Sequence, residues 1–214
     1  MRLVKIASTN LGWESELIAA SEIIKKGGLV IFPTETVYGL GADALNPEAV
    51  ALVYKIKSRP KDQPLSIAVA EANAIERYVQ KIPPIAFRLM EKFLPGPLTL
   101  ILLKSKIIPD IVTGGIEKIG IRIPDHPVAL SLLQAVARPL TATSANRTGK
   151  PGPQNVNDIG PDLKNDVDLI LDAGPTKLGI ESTIIDLTDK PTILRIGAIS
   201  KAEIEAVIGT VWVK

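Results

Sequence analysis

The sequence predicts an α/β protein, an open twisted mixed β-sheet with helices on its faces, and three observations carry that class. Apolar runs of strand length, such as Leu98 to Leu103 and Ile119 to Ile123, alternate along the chain with segments of helical periodicity. Proline and glycine punctuate the junctions. No internal repeat, linker or low-complexity tract interrupts the 214 residues, and at 46% hydrophobic content they can form one large domain with a sizeable core.

Taken in order, Leu3 to Ile6 reads as a short strand. Glu14 to Lys26 carries a partly apolar helical stripe through Leu17, Ile18, Ser21 and Ile24 and stops at Gly27-Gly28. Leu29 to Phe32 is the next strand. Asn46-Pro47-Glu48 has the chemistry of a helix start, with an amide side chain to cap, proline in the first turn and an acid at the positive pole. Ala49, Val53 and Ile56 keep helical spacing until Pro60 forbids continuation, so Lys57, Ser58 and Arg59 fall where the helix frays and a basic cluster is expected to point outward. Leu65 to Ala70 is expected as a strand, Asn73 to Gln80 and Pro84 to Phe93 as helices, and Leu98 to Leu103 as a buried strand. Ile119 to Ile123 is a strand interrupted by Arg122, Pro127 to Ala137 a helix, and Leu140 to Thr143 a strand leading into Ser144. After a loop at Lys150 to Pro153, strands are expected near Asp168 to Leu171, Thr183 to Leu187 and Thr192 to Leu194. Ser200 and Glu203 form a capping-box pattern opening a helix to Ile208.

Composition removes several classes of function. Without cysteine there is no disulfide, thiolate chemistry or cysteine-held zinc, and a single histidine, His126, rules out a histidine-rich metal site. His126 is expected to cap or pack near the following helix. Lys and Arg number 25 against 23 Asp and Glu, so any cationic site must be local. The longest apolar runs fall far short of the roughly 20 residues a membrane helix needs. MRLVKIASTN at the amino terminus lacks a secretory h-region, and a soluble, cytoplasmic protein is the expectation. Trp13 and Trp212 read as packing residues rather than base-stacking platforms.

Four segments break the apolar pattern in a way that chemistry explains. FPTETVYGLG at 32 to 41 is a hydroxyl-rich turn with two glycines placed where a strand ends, and ligands in open α/β sheets bind at such carboxyl ends. Lys55, Lys57, Arg59 and Lys61 are the only charges between Ala49 and Lys61, which suits a phosphate and equally suits a solvated helix end. Arg122 and Arg195 each follow an apolar run. Either they pair with an acid, Asp125 being the near one for Arg122, or they face an anion. Ser144-Ala145-Asn146 offers small polar side chains that let a ligand approach the backbone. Thr148-Gly149-Lys150-Pro151 imitates the end of a P-loop but lacks the upstream glycine and the hydroxyl residue after lysine, so it is not one.

With these segments quoted, the chain resembles the YrdC-like L-threonylcarbamoyladenylate synthases over roughly residues 12 to 198. The matching landmarks are PTETVYGLG at 33 to 41, KSRPKDQPL at 57 to 65, PGPLT at 95 to 99, IRIPDHP at 121 to 127, TSANRTGKP at 143 to 151, ESTI at 181 to 184 and LRIG at 194 to 197. The resemblance implies a YrdC-like single domain over 1–214 and a nucleotidyltransferase that joins L-threonine, bicarbonate and ATP into threonylcarbamoyl-AMP and pyrophosphate. The product feeds the N6-threonylcarbamoyl modification of an anticodon-loop adenosine in tRNA. By the same resemblance Lys57, Arg59, Ser144 and Asn146 match the signature quartet and are assigned the catalytic role. Arg59, Gln63, Ser144, Gly152 and Arg195 are expected at ATP, and Thr34, Arg122 and Ser182 at threonine, Arg122 on its carboxylate. No protein-held metal is expected, since Mg2+ arrives with ATP. The implied partners are the three substrates, the transferase machinery that receives the adenylate, and weakly bound tRNA, with no membrane.

That reaction needs no cysteine, serine nucleophile or histidine base, because a threonine carbamate attacks the α-phosphorus itself. Its labile intermediates imply a site that closes, through the loop at Arg59 to Gln63 or at Arg147 to Pro153. The chain departs from relatives at Gly152, where many carry serine, and at Ala68, which is polar in some longer members. It also lacks their carboxyl-terminal extension and reads as the short form. Two rivals stay open: a carbamoyladenylate-forming carbamoyltransferase domain, and a non-enzymatic RNA-binding module using the Lys55 to Lys61 and Arg147 to Lys150 clusters.

Overall fold

The expected α/β class holds in the computed structural model of the chain, which describes residues 2–6 and 13–214, while its strands divide between two mixed sheets instead of sharing one. The amino-terminal stretch read for targeting signals falls partly outside the described residues. The first strand, β1 (Arg2–Lys5), precedes α1 (Glu14–Lys25), which buries Leu17, Ala20 and Ile24. After a turn in which Gly27 adopts a φ of 86°, β2 (Val30–Phe32) pairs antiparallel with β3 (Gly39–Gly41). Glycine hid β3 from propensity reasoning. Its role is steric: a Cβ at Gly41 would lie 2.8 Å from a carbon of the Phe32 ring, so bare backbone is what lets the ring lie across the strand.

Asn46 caps α2 (Pro47–Lys57) as expected, its Oδ1 accepting from the amides of Glu48 at 3.0 Å and Ala49 at 3.2 Å. After β4 (Ser66–Ala68), the helix expected at Asn73 to Gln80 is a 3₁₀ segment, Ala72–Arg77. Tertiary bonds win there, for the Gln80 amide donates to Leu103 and the Tyr78 carbonyl accepts from Ser105, each at 2.9 Å. α3 (Pro84–Phe93) and β5 (Leu98–Leu103) match expectation, followed by the short α4 (Asp110–Thr113), β6 (Lys118–Arg122) and α5 (Pro127–Val136). His126 caps α5, its Nδ1 accepting from Val128 at 3.2 Å. β7 (Leu140–Thr141), β8 (Thr143–Ser144), a 3₁₀ turn (Val156–Asp158), α6 (Pro161–Asn165) and β9 (Leu169–Asp172) follow. The chain then forms β10 (Thr183–Asp186), β11 (Thr192–Arg195), α7 (Lys201–Ile208) with its capping box, and β12 (Trp212–Val213). Trp212 is 50% exposed on that last strand, with the Lys190 ammonium 5.7 Å from its ring, so it is not the packing residue expected.

One sheet runs β1-β9-β2-β3-β8 and the other β12-β11-β10-β5-β6-β4-β7. Period-two alternation gives β2 and β9 two buried faces. Val30, Phe32, Leu169 and Leu171 pack with α1 and α5 in a smaller core, whereas Ile31 and Ile170 join the larger core with Leu100, Ile121 and Ile185 of the second sheet. The expected strand at Leu140 to Thr143 is really two. β7 pairs with β4, β8 pairs with β3, and only Ala142 separates them, donating its amide to Ser66 O at 2.7 Å. This stretch joins the sheets, and it delivers Ser144 to the place where they meet.

Asn46→Ala should lower unfolding free energy by about 1 kcal/mol in a urea titration, because two amides of α2 lose their acceptor, while Asn46→Asp should stay near wild type.

Candidate active site

A cavity of about 420 Å³ opens at that junction, with walls supplied by the β2–β3 turn, the end of α2, β4, β5, β6, the segment after β8, Glu181 and Ser182, and the strands β10 and β11. Lys57 closes one corner. It is the last residue of α2 and only 1% exposed, so the outward basic cluster is corrected: the helix end turns this lysine inward and leaves Lys55 and Lys61 to solvent. Its Nζ donates to Ser144 O at 2.5 Å, Asn146 O at 2.6 Å and Asn146 Oδ1 at 3.0 Å, one acceptor for each ammonium proton. Ser144 Oγ also donates to Asn146 Oδ1, at 2.7 Å. Burial first, and then the neighbouring Arg59, draw the Lys57 pKa from 10.5 to about 7, with Glu181 opposing. Arg59 is half-buried and bent back on its own loop, donating through Nε to Gln63 O at 3.1 Å and through NH2 to Pro64 O at 2.7 Å.

The opposite wall holds two arginines, each with its own acid. Arg122 pairs with Glu35 rather than with the neighbouring Asp125, and its NH1 donates to Thr36 Oγ1 at 3.2 Å. Both partners are buried, and among the described residues Glu35 Oε2 and Arg122 Nε find no hydrogen-bond partner. Desolvation lowers the Arg122 pKa, Glu35 opposes that, and nearby Arg195 adds to it. Arg195 donates to Glu181 Oε2 at 2.6 Å, to Ser182 O through Nε and NH2, and to Ser182 Oγ at 3.2 Å. Thr34 lines the cavity, but its hydroxyl donates to Val37 O at 2.7 Å and accepts from the Thr36 hydroxyl and amide. One proton and two lone pairs are thereby engaged.

Eight of the ten sequence-derived site residues therefore line one cavity: Lys57, Arg59, Ser144 and Asn146 at one corner, with Thr34, Arg122, Ser182 and Arg195 on the far wall. Gln63 and Gly152 do not. Gln63 is exposed on the turn, where its carbonyl serves Arg59 and the Tyr54 hydroxyl. Gly152 lines a neighbouring depression and is pressed against Val37, where an added Cβ would come within 3.0 Å. Sequence reasoning missed the paired acids Glu35 and Glu181 and the hydroxyl of Thr99. Glu35 left a signal, being a lone charge in a turn of hydroxyl and apolar residues, whereas Thr99 reads as an ordinary strand residue.

The family described as Sua5_yciO_yrdC, Telomere recombination, matches residues 22–197. The chain belongs to the Sua5/YciO/YrdC family. Among its members, a Pyrococcus abyssi (strain GE5 / Orsay) protein named threonylcarbamoyl-AMP synthase is 44% identical over 199 residues, covering 92% of this chain and 58% of that protein. A Methanocaldococcus jannaschii protein named putative threonylcarbamoyl-AMP synthase is 43% identical over 196 residues, 90% of each chain. The crystal structure of P. abyssi Sua5 complexed with L-threonine matches with a TM-score of 0.93 at 41% identity, across 100% of this chain and 62% of that one. The chain thus spans less than two thirds of the P. abyssi relative, and the Sua5/YciO/YrdC match lies on the stretch that builds the cavity.

Because the Lys57 pKa falls from 10.5 to about 7 on folding, the unfolded chain holds the extra proton between those values, and stability rises as pH climbs through that window. Urea midpoints on both sides of it should show a gain on the order of a few kcal/mol in wild type that Lys57→Met lacks. Parallel pH profiles for the two proteins would mean that the hydrogen bonds fully offset the burial of the ammonium.

Proposed function

We propose that this chain makes threonylcarbamoyl-AMP and pyrophosphate from L-threonine, bicarbonate and ATP, for the threonylcarbamoyl modification of tRNA in the cytoplasm. The observation that carries the reading is a single cavity uniting the Lys57, Arg59, Ser144 and Asn146 corner with the paired arginines Arg122 and Arg195. Relatives named for this product support it. So does the fact that no described helix is long and apolar enough to cross a membrane.

In the proposed reaction the threonine amine bonds to the carbon of bicarbonate, losing a proton as water departs. An oxygen of the resulting carbamate then attacks the α-phosphorus, the bond to the bridging oxygen of pyrophosphate breaks, and the electron pair leaves with pyrophosphate. The protein's part is placement and charge. Arg122 takes the amino-acid carboxylate, its guanidinium plane already set by Glu35 and Thr36. Lys57, Arg59 and Arg195 face the phosphates, and a polyphosphate beside Lys57 would restore the proton that burial tends to remove. Ser144 and Asn146 hold the Lys57 ammonium in place and present their turn to the nucleotide. Gln63 and Gly152, outside the cavity wall, would reach ATP only after their loops move inward.

A divalent ion is implied by the use of ATP. Among the described residues there is no group of three or more His, Asp or Glu side chains able to hold one, and the acids nearest the cavity, Glu35 and Glu181, are each engaged by an arginine. In this reading the ion arrives on the phosphates of ATP.

Pyrophosphate release by the purified protein should require L-threonine and bicarbonate together. Release driven by carbamoyl phosphate would assign the chain to carbamoyl transfer, and salt-sensitive RNA binding without turnover would favour a binding module. Arg122→Ala should raise the KM for threonine at least about tenfold with the KM for ATP little changed, and Arg59→Ala should do the reverse. Steady-state kinetics against each substrate check the split.

A further inference from the structure

We propose that Arg147 is a positioning residue for the nucleotide: by holding the hydroxyl of Ser58 it fixes the backbone reversal that aims both Lys57 and Arg59 at one cavity. The inference rests on the functional reading above and adds a residue that acts on ATP only through others. Helix geometry shows why a reversal is needed. Residues two apart on an α-helix project about 200° apart, and Lys55 and Lys57 follow that rule, one in solvent and the other in the cavity corner. Were α2 to run on, Arg59 would return to within about 40° of Lys55 and face solvent with it. Arg59 lines the cavity because Ser58 takes a left-handed conformation, with φ 50° and ψ 41°. The helix closes there, the amides of Ser58 and Arg59 donating to Lys55 O at 3.1 Å and Tyr54 O at 3.0 Å.

A left-handed backbone strains any residue that carries a Cβ, and helix ends of this kind normally use glycine. Among the described residues only Ser58 and Ala137 combine a side chain with a positive φ. Ser58 is exposed, so no packed core imposes the turn on it. Arg147 supplies the constraint. Its NH1 donates to Ser58 Oγ at 2.9 Å while its NH2 donates to Asp162 Oδ2 at 3.2 Å, so the guanidinium spans from the end of α2 to the start of α6. Strain held at a binding site by a specific contact is what a positioning role requires.

Neighbouring bonds run the same way. The Thr148 amide donates to Lys57 O at 3.0 Å, and Lys57 Nζ donates to both oxygens of Asn146, so the two segments are tied on either side of the Arg147–Ser58 bond. Arg147 itself lies outside the cavity wall, beside the neighbouring depression that Gly152 lines. It therefore reaches a nucleotide in the cavity through the turn and not by contact.

The test is a double-mutant cycle read by pyrophosphate release, with ATP and threonine varied in turn, for wild type, Arg147→Ala, Ser58→Gly and the double variant. Arg147→Ala is expected to raise the ATP KM about fivefold with the threonine KM within about twofold, a modest effect because the bond is partly exposed. In the Ser58→Gly background, where glycine takes the left-handed turn freely and offers no hydroxyl, the same substitution should change the ATP KM by less than about twofold. An equal rise in both backgrounds would show the Arg147 charge acting on the phosphates directly and overturn the proposal. An unchanged ATP KM in Arg147→Ala, or a rise shared with threonine, would overturn it too. If Arg147→Ala melts early, Ser58→Ala removes the same bond from its other end and carries the same reading. Wild type that releases no pyrophosphate would bring down the functional reading instead, and titration with a non-hydrolysable ATP analogue would still test the turn through the same contrast between backgrounds.

Discussion

The Lys57 ammonium is the point on which the site depends. It ends α2, lies almost wholly out of water, and spends its three protons on oxygens of Ser144 and Asn146. A buried charge with no partners would cost several kcal/mol, so the turn after β8 can take few other shapes once this lysine is in place. In return the turn's carbonyls are satisfied by side chain rather than by a ladder. One interaction therefore joins the end of α2 to the segment that begins at the end of β8. It also brings together two motifs, Lys57 to Arg59 and Ser144 to Asn146, that lie far apart in sequence.

The rest of the cavity follows a related rule. Its two arginines are backed by Glu35 and Glu181, so that positive charge is held at fixed positions without leaving a net field of the size that a lone buried guanidinium would create. This explains how a chain with a net charge of only +2 could present the anion-binding site proposed above. The acids do not weaken that role. They orient the guanidinium forks in advance, which lowers the reorganisation needed when an anion arrives.

Much of the fold was legible because it rests on local chemistry. The α2 cap at Asn46, the capping box at Ser200, and the bounds of α3 and β5 all came from short-range signals, and each stands where those signals put it. The misses share a cause. β3 carries two glycines of three residues, and they let it fit against Phe32, while the 3₁₀ turn at Ala72–Arg77 leads into Tyr78 and Gln80, which bond to Ser105 and Leu103. For the site, eight of the ten residues singled out face one cavity, because their motifs break hydrophobic pattern at strand and helix ends, where side chains are free to converge.

By itself the sequence determined the α/β class, most element positions and most of the residues that line the cavity, since periodicity, capping and isolated charges are readable along the chain. Only the tertiary structure decided that the strands form two sheets, that Ala142 is the step between them, that Lys57 points inward, and that Glu35 rather than Asp125 answers Arg122. Pairings of that kind join residues far apart in sequence, and they are chosen by which buried charges and backbone groups must be satisfied once the cores close.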